Sequence, residues 1–175
     1  MSLSVGDTAP DFSLPDQDKQ VVSLAELRGA PVLVVFYPFA FSGICTGELC
    51  QLRDELAVYT DAGVRVVAVS TDPTFTLKAW REQQGFEFPL LSDFWPHGAT
   101  AQAYGVFNDK AGMALRGTPV LLVFYPFAFS GLCTGELCQL RDELSVYTDA
   151  GVTVPSASSR NVARNAMPAL SLKTP

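Results

Sequence analysis

The chain has 175 residues, of which 48% are hydrophobic and 17% charged, and this composition is typical of a globular protein rather than a disordered or fibrous one. Its formal net charge of −6 argues against a nucleic acid or an anionic membrane as partner, because both are bound by clustered lysine and arginine side chains. The first residues lack a secretory signal pattern, and no apolar run is long enough to span a bilayer, so we expect a cytoplasmic protein with no membrane partner.

Strands and helices are predicted to alternate along the chain. Residues 11–24 favour a hairpin around Asp16, and the apolar run at residues 32–37 indicates a buried strand. A helix is predicted at residues 46–59, because its leucines recur at helical spacing. The further predicted elements are a strand at 64–70, a helix at 75–84, a strand at 88–91, a helix at 98–104, a strand at 120–125 and a helix at 133–147. This alternation predicts an α/β fold with a largely parallel central sheet.

A long internal repeat dominates the layout of the sequence. Residues 28–66 reappear as residues 116–154, and 34 of the 39 positions are identical. All four cysteines lie in this repeat, as Cys45 and Cys50 in the first copy and Cys133 and Cys138 in the second. Two copies are too few for a solenoid, in which at least three stacked repeats are usual. The pattern fits either a recent segmental duplication or an artefact, and the sequence alone does not separate the two.

Cys45 is the strongest candidate for a reactive residue. It follows the loop after the first buried strand and lies at the start of the predicted helix, where free amides and the helix dipole favour negative charge. A cysteine so placed is expected to have a lowered pKa and to be more fully ionised. Ser42 places a hydroxyl near the sulfur, and Pro38, which donates no hydrogen bond, is expected to wall the pocket against water.

The segment Pro38-Phe-Ala-Phe-Ser42-Gly-Ile-Cys45 resembles the Pro-x-x-x-Thr/Ser-x-x-Cys signature of peroxiredoxins. Residues 5–18 look like the family's amino-terminal hairpin, and residues 88–108 look like the stretch that leads to its active-site arginine. That arginine is then Arg116, and the nearest branch is the alkyl hydroperoxide reductase E type. The resemblance implies a thioredoxin-like fold, with a central mixed sheet flanked by helices.

The resemblance also implies roles for the residues at this site. Cys45 is expected to attack the peroxide and become a sulfenic acid, while Ser42 orients the peroxide. Arg116 is expected to stabilise the thiolate and the charge that develops on the peroxide oxygens, and Glu48 to orient Arg116. The implied substrates are hydrogen peroxide and organic hydroperoxides. The implied reductant is a thioredoxin-like protein or a low-molecular-weight thiol. The implied assembly is a homodimer, and no cofactor or metal is expected.

Cys50 is a candidate for the resolving cysteine. On an intact helix it is rotated by about 140° from Cys45 and displaced by about 7.5 Å along the axis, so a disulfide requires the first turns to unwind. Peroxiredoxins of the bacterioferritin-comigratory type use a cysteine at this spacing as resolver. The alternative is a spectator thiol, with an external thiol reacting with the sulfenic acid instead.

The second copy makes the carboxy-terminal part atypical. We expect a peroxiredoxin-like core at residues 1–117, a repeated strand-loop-helix segment at 118–154 that partly completes the fold, and a disordered tail at 155–175. One edge strand of the sheet is expected to be missing. Cys133 and Cys138 are weaker candidates for a second site, because the chain ends before a matching arginine. The alternative function is a non-catalytic or misassembled variant that acts at most as a redox-sensitive binding module.

Overall fold

The computed structural model describes residues 8–116, 118–122 and 169–171. The strands are β1 (Ser13–Pro15), β2 (Val21–Ser23), β3 (Val32–Phe36), β4 (Arg65–Ser70), β5 (Leu90–Ser92), β6 (Phe107–Asn108), β7 (Met113–Ala114), β8 (Thr118–Leu122) and β9 (Ala169–Ser171). The helices are α1 (Gly43–Asp54), α2 (Leu56–Asp61), α3 (Thr74–Gln84) and α4 (Ala99–Ala103). None of the helices in the described part of the chain has the length and apolar character needed to cross a membrane.

A five-stranded mixed sheet in the order β5-β4-β3-β8-β9 forms the centre of the fold. Strands β3, β4 and β5 run parallel, β8 is antiparallel to β3, and β9 is antiparallel to β8. This arrangement confirms the predicted α/β fold with a mixed sheet, and β1 and β2 confirm the predicted amino-terminal hairpin. The β3 side chains divide between two apolar clusters, because successive residues of a strand point to opposite faces. Leu33 packs with residues of α1 and α3, whereas Val32 and Val34 pack with the hairpin and α4.

The prediction of one helix at residues 46–59 was wrong about where the helix starts and about its continuity. It begins at Gly43, with Ser42 as N-cap, and it is interrupted at Glu55. Glu55 has φ −97° and ψ 3°, and it both ends α1 and precedes α2. The other strands and helices that the sequence predicts within the described residues lie close to their predicted positions, whereas β6 and β7 were not predicted. Helix α3 ends at Gly85, whose φ of 67° suits a glycine at a helix carboxy terminus.

The repeated strand enters the sheet as β8, beside the strand of which it is a copy. Thr118 lies opposite Phe36, and Leu122 lies opposite Val32. The outer side of β8 is covered by β9, at Ala169–Ser171, although the sequence predicts disorder in that segment and a missing edge strand. The pairing of β8 with β9 provides hydrogen-bond partners for main-chain N–H and C=O groups that stay unpaired on an uncovered edge strand. The helix predicted at residues 133–147 lies outside the described residues.

Candidate active site

Cys45 is the third residue of α1 and is completely buried. Ser42 caps the helix in an extended conformation, and its carbonyl oxygen accepts hydrogen bonds from the main-chain amide and the side-chain hydroxyl of Thr46, each at 2.8 Å. The Ser42 side chain is half-buried and makes no capping hydrogen bond to the described helix, so its hydroxyl is not committed to α1. The thiol of Cys45 thus lies in the first turn of α1, where the partial positive charge of unpaired amides is concentrated.

Apolar and aromatic side chains enclose Cys45. It shares a buried cluster with Tyr37, Leu49 and Trp80. The centroids of the Tyr37 and Trp80 rings lie 5.4 Å apart. Burial raises the pKa of the Tyr37 hydroxyl well above its ordinary value, and negative charge on Asp72 and on Cys45 raises it further.

The loop between β3 and α1 is held by its main chain. The Tyr37 amide donates to the Val69 carbonyl oxygen at 3.1 Å, and the Ala40 amide donates to Asp72 Oδ2 at 2.8 Å. Pro38, between these two points, is buried. Neither Tyr37 nor Asp72 was among the residues singled out in the sequence, and Asp72 lies 32 residues from Ala40 along the chain.

Glu48 and Arg116 form the charged part of the site. Glu48 is half-buried, and burial raises the pKa of its carboxyl group, while the positive charge of Arg116 lowers it. Arg116 is an exposed residue two positions before Thr118, and Thr118 lies opposite Phe36 at the end of β3. Arg116 therefore enters at the edge of the sheet from which the Cys45 loop leaves. The structure thus brings the main candidates to one edge of the sheet, namely Pro38, Ser42, Cys45 and Glu48 of the first copy and Arg116, the first residue of the second copy.

Cys50 lies five residues after Cys45 on the intact helix α1. Both are free thiols, and Cys50 is half-buried, with its sulfur 3.5 Å from Gln84 Oε1. A disulfide between them requires α1 to unwind, as the spacing predicts. Cys133 and Cys138 lie outside the described residues.

The described residues contain no cluster of three or more His, Cys, Asp or Glu that suits a metal ion. The single histidine of the sequence, His97, is exposed, and its Nε2 lies 2.8 Å from the Gly112 carbonyl oxygen. This contact joins the segment before α4 to the turn between β6 and β7.

Comparison with known proteins identifies the family. The model of the AhpC/TSA family matches residues 5–120 and matches again at residues 113–169. Alkyl hydroperoxide reductase E of Mycobacterium tuberculosis is 58% identical over 120 residues, which cover 68% of this chain and 78% of that protein. Peroxiredoxin Bcp of Escherichia coli is 41% identical over 111 residues, which cover 63% and 70% of the two chains.

Solved structures agree with this assignment. The crystal structure of peroxidoxin BcpB from Mycobacterium tuberculosis superposes with a TM-score of 0.61 at 29% identity, over 80% of this chain and 97% of that one. The crystal structure of Enterococcus faecalis AhpC, at 24% identity and a TM-score of 0.64 over 89% of this chain and all of that one, shows the same fold. The chain belongs to the AhpC/TSA family of peroxiredoxins and is a thiol-dependent peroxidase.

Proposed function

We propose that Cys45 is the peroxidatic cysteine of an alkyl hydroperoxide reductase E type enzyme that reduces hydrogen peroxide and organic hydroperoxides. The observation that carries the proposal is the position of Cys45, a buried thiol in the first turn of α1. The sequence identity to alkyl hydroperoxide reductase E supports the choice of branch. Because Cys45 is completely enclosed, small hydroperoxides are expected to react faster than bulky ones.

The reaction follows from the chemistry of a thiolate. The sulfur of ionised Cys45 attacks one peroxide oxygen, the S–O bond forms as the O–O bond breaks, and the departing oxygen takes a proton to leave as water or an alcohol. Cys45 is thereby oxidised to a sulfenic acid. The polar groups at the edge of the sheet have to stabilise the negative charge that moves from the sulfur to the departing oxygen.

The neighbouring residues divide this work. Ser42 orients the peroxide with its uncommitted hydroxyl, and Pro38 excludes water from the pocket. Arg116 stabilises the thiolate and the charge on the peroxide oxygens. Glu48 positions Arg116, and the electrostatic interaction of their side chains supports this role.

Cys50 completes the cycle as the resolving cysteine. After α1 unwinds, its thiolate attacks the sulfenic sulfur of Cys45, the S–S bond forms as the S–O bond breaks, and the departing oxygen takes a proton from solvent to leave as water. A thioredoxin-like dithiol or a low-molecular-weight thiol then reduces the disulfide and regenerates both thiols. We further propose that the enzyme works in the cytoplasm as a homodimer, and that residues 118–154 partly complete its fold as a duplicated copy of the active-site segment.

Stopped-flow fluorescence on hydrogen peroxide tests the assignment. Trp80 lies in the same cluster as Cys45, so oxidation of the sulfur is expected to change its emission. A fast phase that is present in the wild type and in Cys133→Ser, and absent in Cys45→Ser, supports the proposal. A folded wild type without a fast phase would contradict it and support the non-catalytic alternative, which the family relationship does not favour.

A further inference from the structure

The carboxylate of Asp72 joins two segments at the active-site edge of the sheet. Asp72 follows β4, and its Oδ2 accepts hydrogen bonds from the Ala40 amide and from the Ser70 hydroxyl, both at 2.8 Å. Because β3 and β4 are parallel, the loops that follow them lie side by side. The carboxylate therefore connects the loop that leads to Cys45 with the end of the neighbouring strand.

Asp72 is itself held at a fixed position. Its main-chain amide donates to Ser70 Oγ at 3.3 Å, and its carbonyl oxygen accepts a hydrogen bond from the Ser92 hydroxyl at 2.6 Å. Ser70 ends β4 and Ser92 ends β5, so the carboxylate is mounted on two strands of the central sheet. A group supported in this way can impose a position on a loop instead of following it.

The loop after β3 needs such a support. Phe41 has φ 62°, a left-handed conformation that is unfavourable for a residue with a side chain. At the start of the loop the Tyr37 amide donates a hydrogen bond to the Val69 carbonyl oxygen, and at its end the Ser42 carbonyl oxygen accepts one from the Thr46 amide. Among the described contacts, the bond from Ala40 to Asp72 is the one that holds a main-chain amide of residues 38–41.

We infer that Asp72 is a positioning residue for peroxide reduction, which fixes through the Ala40 amide the loop that carries Pro38 and Ser42 to Cys45. The inference rests on the proposed function of Cys45. Through its hydrogen bonds Asp72 contributes the geometry of the loop, so its loss should slow a reaction of Cys45 that depends on this geometry more than one that does not.

The test compares two reactions of Cys45 at the same pH, the second-order reaction with hydrogen peroxide and alkylation by iodoacetamide. Peroxide reduction depends on the geometry of the loop, whereas alkylation depends on the fraction of thiolate and on access to the sulfur, which a looser loop does not reduce. Asp72→Ala is expected to slow the peroxide reaction by about 10- to 100-fold, because small misplacements at a reacting centre have effects of this size, and to leave alkylation unchanged or faster. Asp72→Asn keeps an oxygen that accepts the Ala40 amide, and it is expected to stay within about fivefold of the wild type. The exposed Asp61, at the end of α2, provides Asp61→Ala as a control for lost charge.

A peroxide rate constant for Asp72→Ala within about twofold of the wild type would overturn the inference, as would an equal loss in both reactions. Hydrogen exchange on the wild type tests the same bond if Asp72→Ala does not fold. The Ala40 amide should exchange more slowly than the amide of exposed Phe39, and equal rates would overturn the inference. Failure of the proposed function gives a different result, because the wild type and Cys45→Ser then react alike with peroxide while the Ala40 amide stays protected.

Discussion

Leu49 offers a test of whether Cys50 reacts through an unwound form of α1. Leu49 lies between the two cysteines on α1 and is 1% exposed. Unwinding exposes its side chain, and burial of a leucine side chain contributes about 2 kcal/mol. Leu49→Ala removes most of this contribution from the folded helix, so the unwound form should become up to about 30-fold more populated. If the disulfide forms from that population, its rate of formation should rise by a similar factor.

The assay is the slower fluorescence phase after one equivalent of hydrogen peroxide, with the Cys45–Cys50 disulfide confirmed by mass spectrometry. Leu77→Ala is the matched control, since Leu77 is 0% exposed in the same cluster but lies on α3. Both variants should lose about 2–5 kcal/mol of unfolding free energy, and only Leu49→Ala should form the disulfide faster. Equal acceleration in both variants, or none in either, would refute the reasoning. A sulfenic acid that persists beside a free Cys50 in the wild type would refute the resolving role itself.

Three further predictions concern charge and backbone. Arg116→Gln should raise the pKa of Glu48 further, because the arginine charge lowers it, and a carboxyl NMR titration that shows no change would contradict their proximity. Burial raises this pKa above its ordinary value of 4.5. The contribution of Glu48 to the free energy of unfolding is therefore fully present below pH 4.5 and is lost as the pH rises through the folded-state pKa. The free energy of unfolding of Glu48→Gln, measured by urea unfolding relative to the wild type, should therefore be higher at neutral pH than at pH 4. Gly98→Ala should cost about 2–4 kcal/mol, because its φ is 67° and the new methyl group meets the Phe107 ring. Gly63→Ala, with a φ of 73° and open space around it, should cost only about 1 kcal/mol by the same unfolding measurement.

The sequence predicted the central strands and the position of Cys45 because both depend on local patterns. The apolar run of β3 identifies a buried strand wherever it lies in the fold, and a cysteine after a loop and before a periodic helix lies at a helix start. The start of α1 was misplaced because Gly43 is a weak helix former, although Ser42 is a residue type favoured at N-caps and was the signal that marks the start. The sequence likewise does not indicate the interruption at Glu55, because glutamate is a good helix former.

The parts of the site that were missed depend on contacts between distant residues. Asp72 resembles any polar residue after a strand, and its importance comes from an amide 32 residues away. The strand β9 escaped prediction for the same reason. Three residues with no sustained pattern become a strand because β8 offers them an edge with which to pair.

The repeat shows that placement, rather than local sequence, determines what a residue does. Strands β3 and β8 come from nearly identical segments, yet they run in opposite directions in one sheet. Strand β8 begins at the same edge of the sheet at which β3 ends and leads into the Cys45 loop.

The first residue of the second copy therefore arrives beside the helix of the first copy. Arg28 and Arg116 are the same position of the repeat, but Arg28 lies on the surface, 3.6 Å from Asp11. Arg116 instead acts on the carboxyl group of Glu48, in the first turns of the Cys45 helix. At its other end β8 finishes beside Val32, at the edge of the sheet away from Cys45. The antiparallel entry of β8 thus brings an arginine of the second copy beside Glu48, on the helix that carries Cys45.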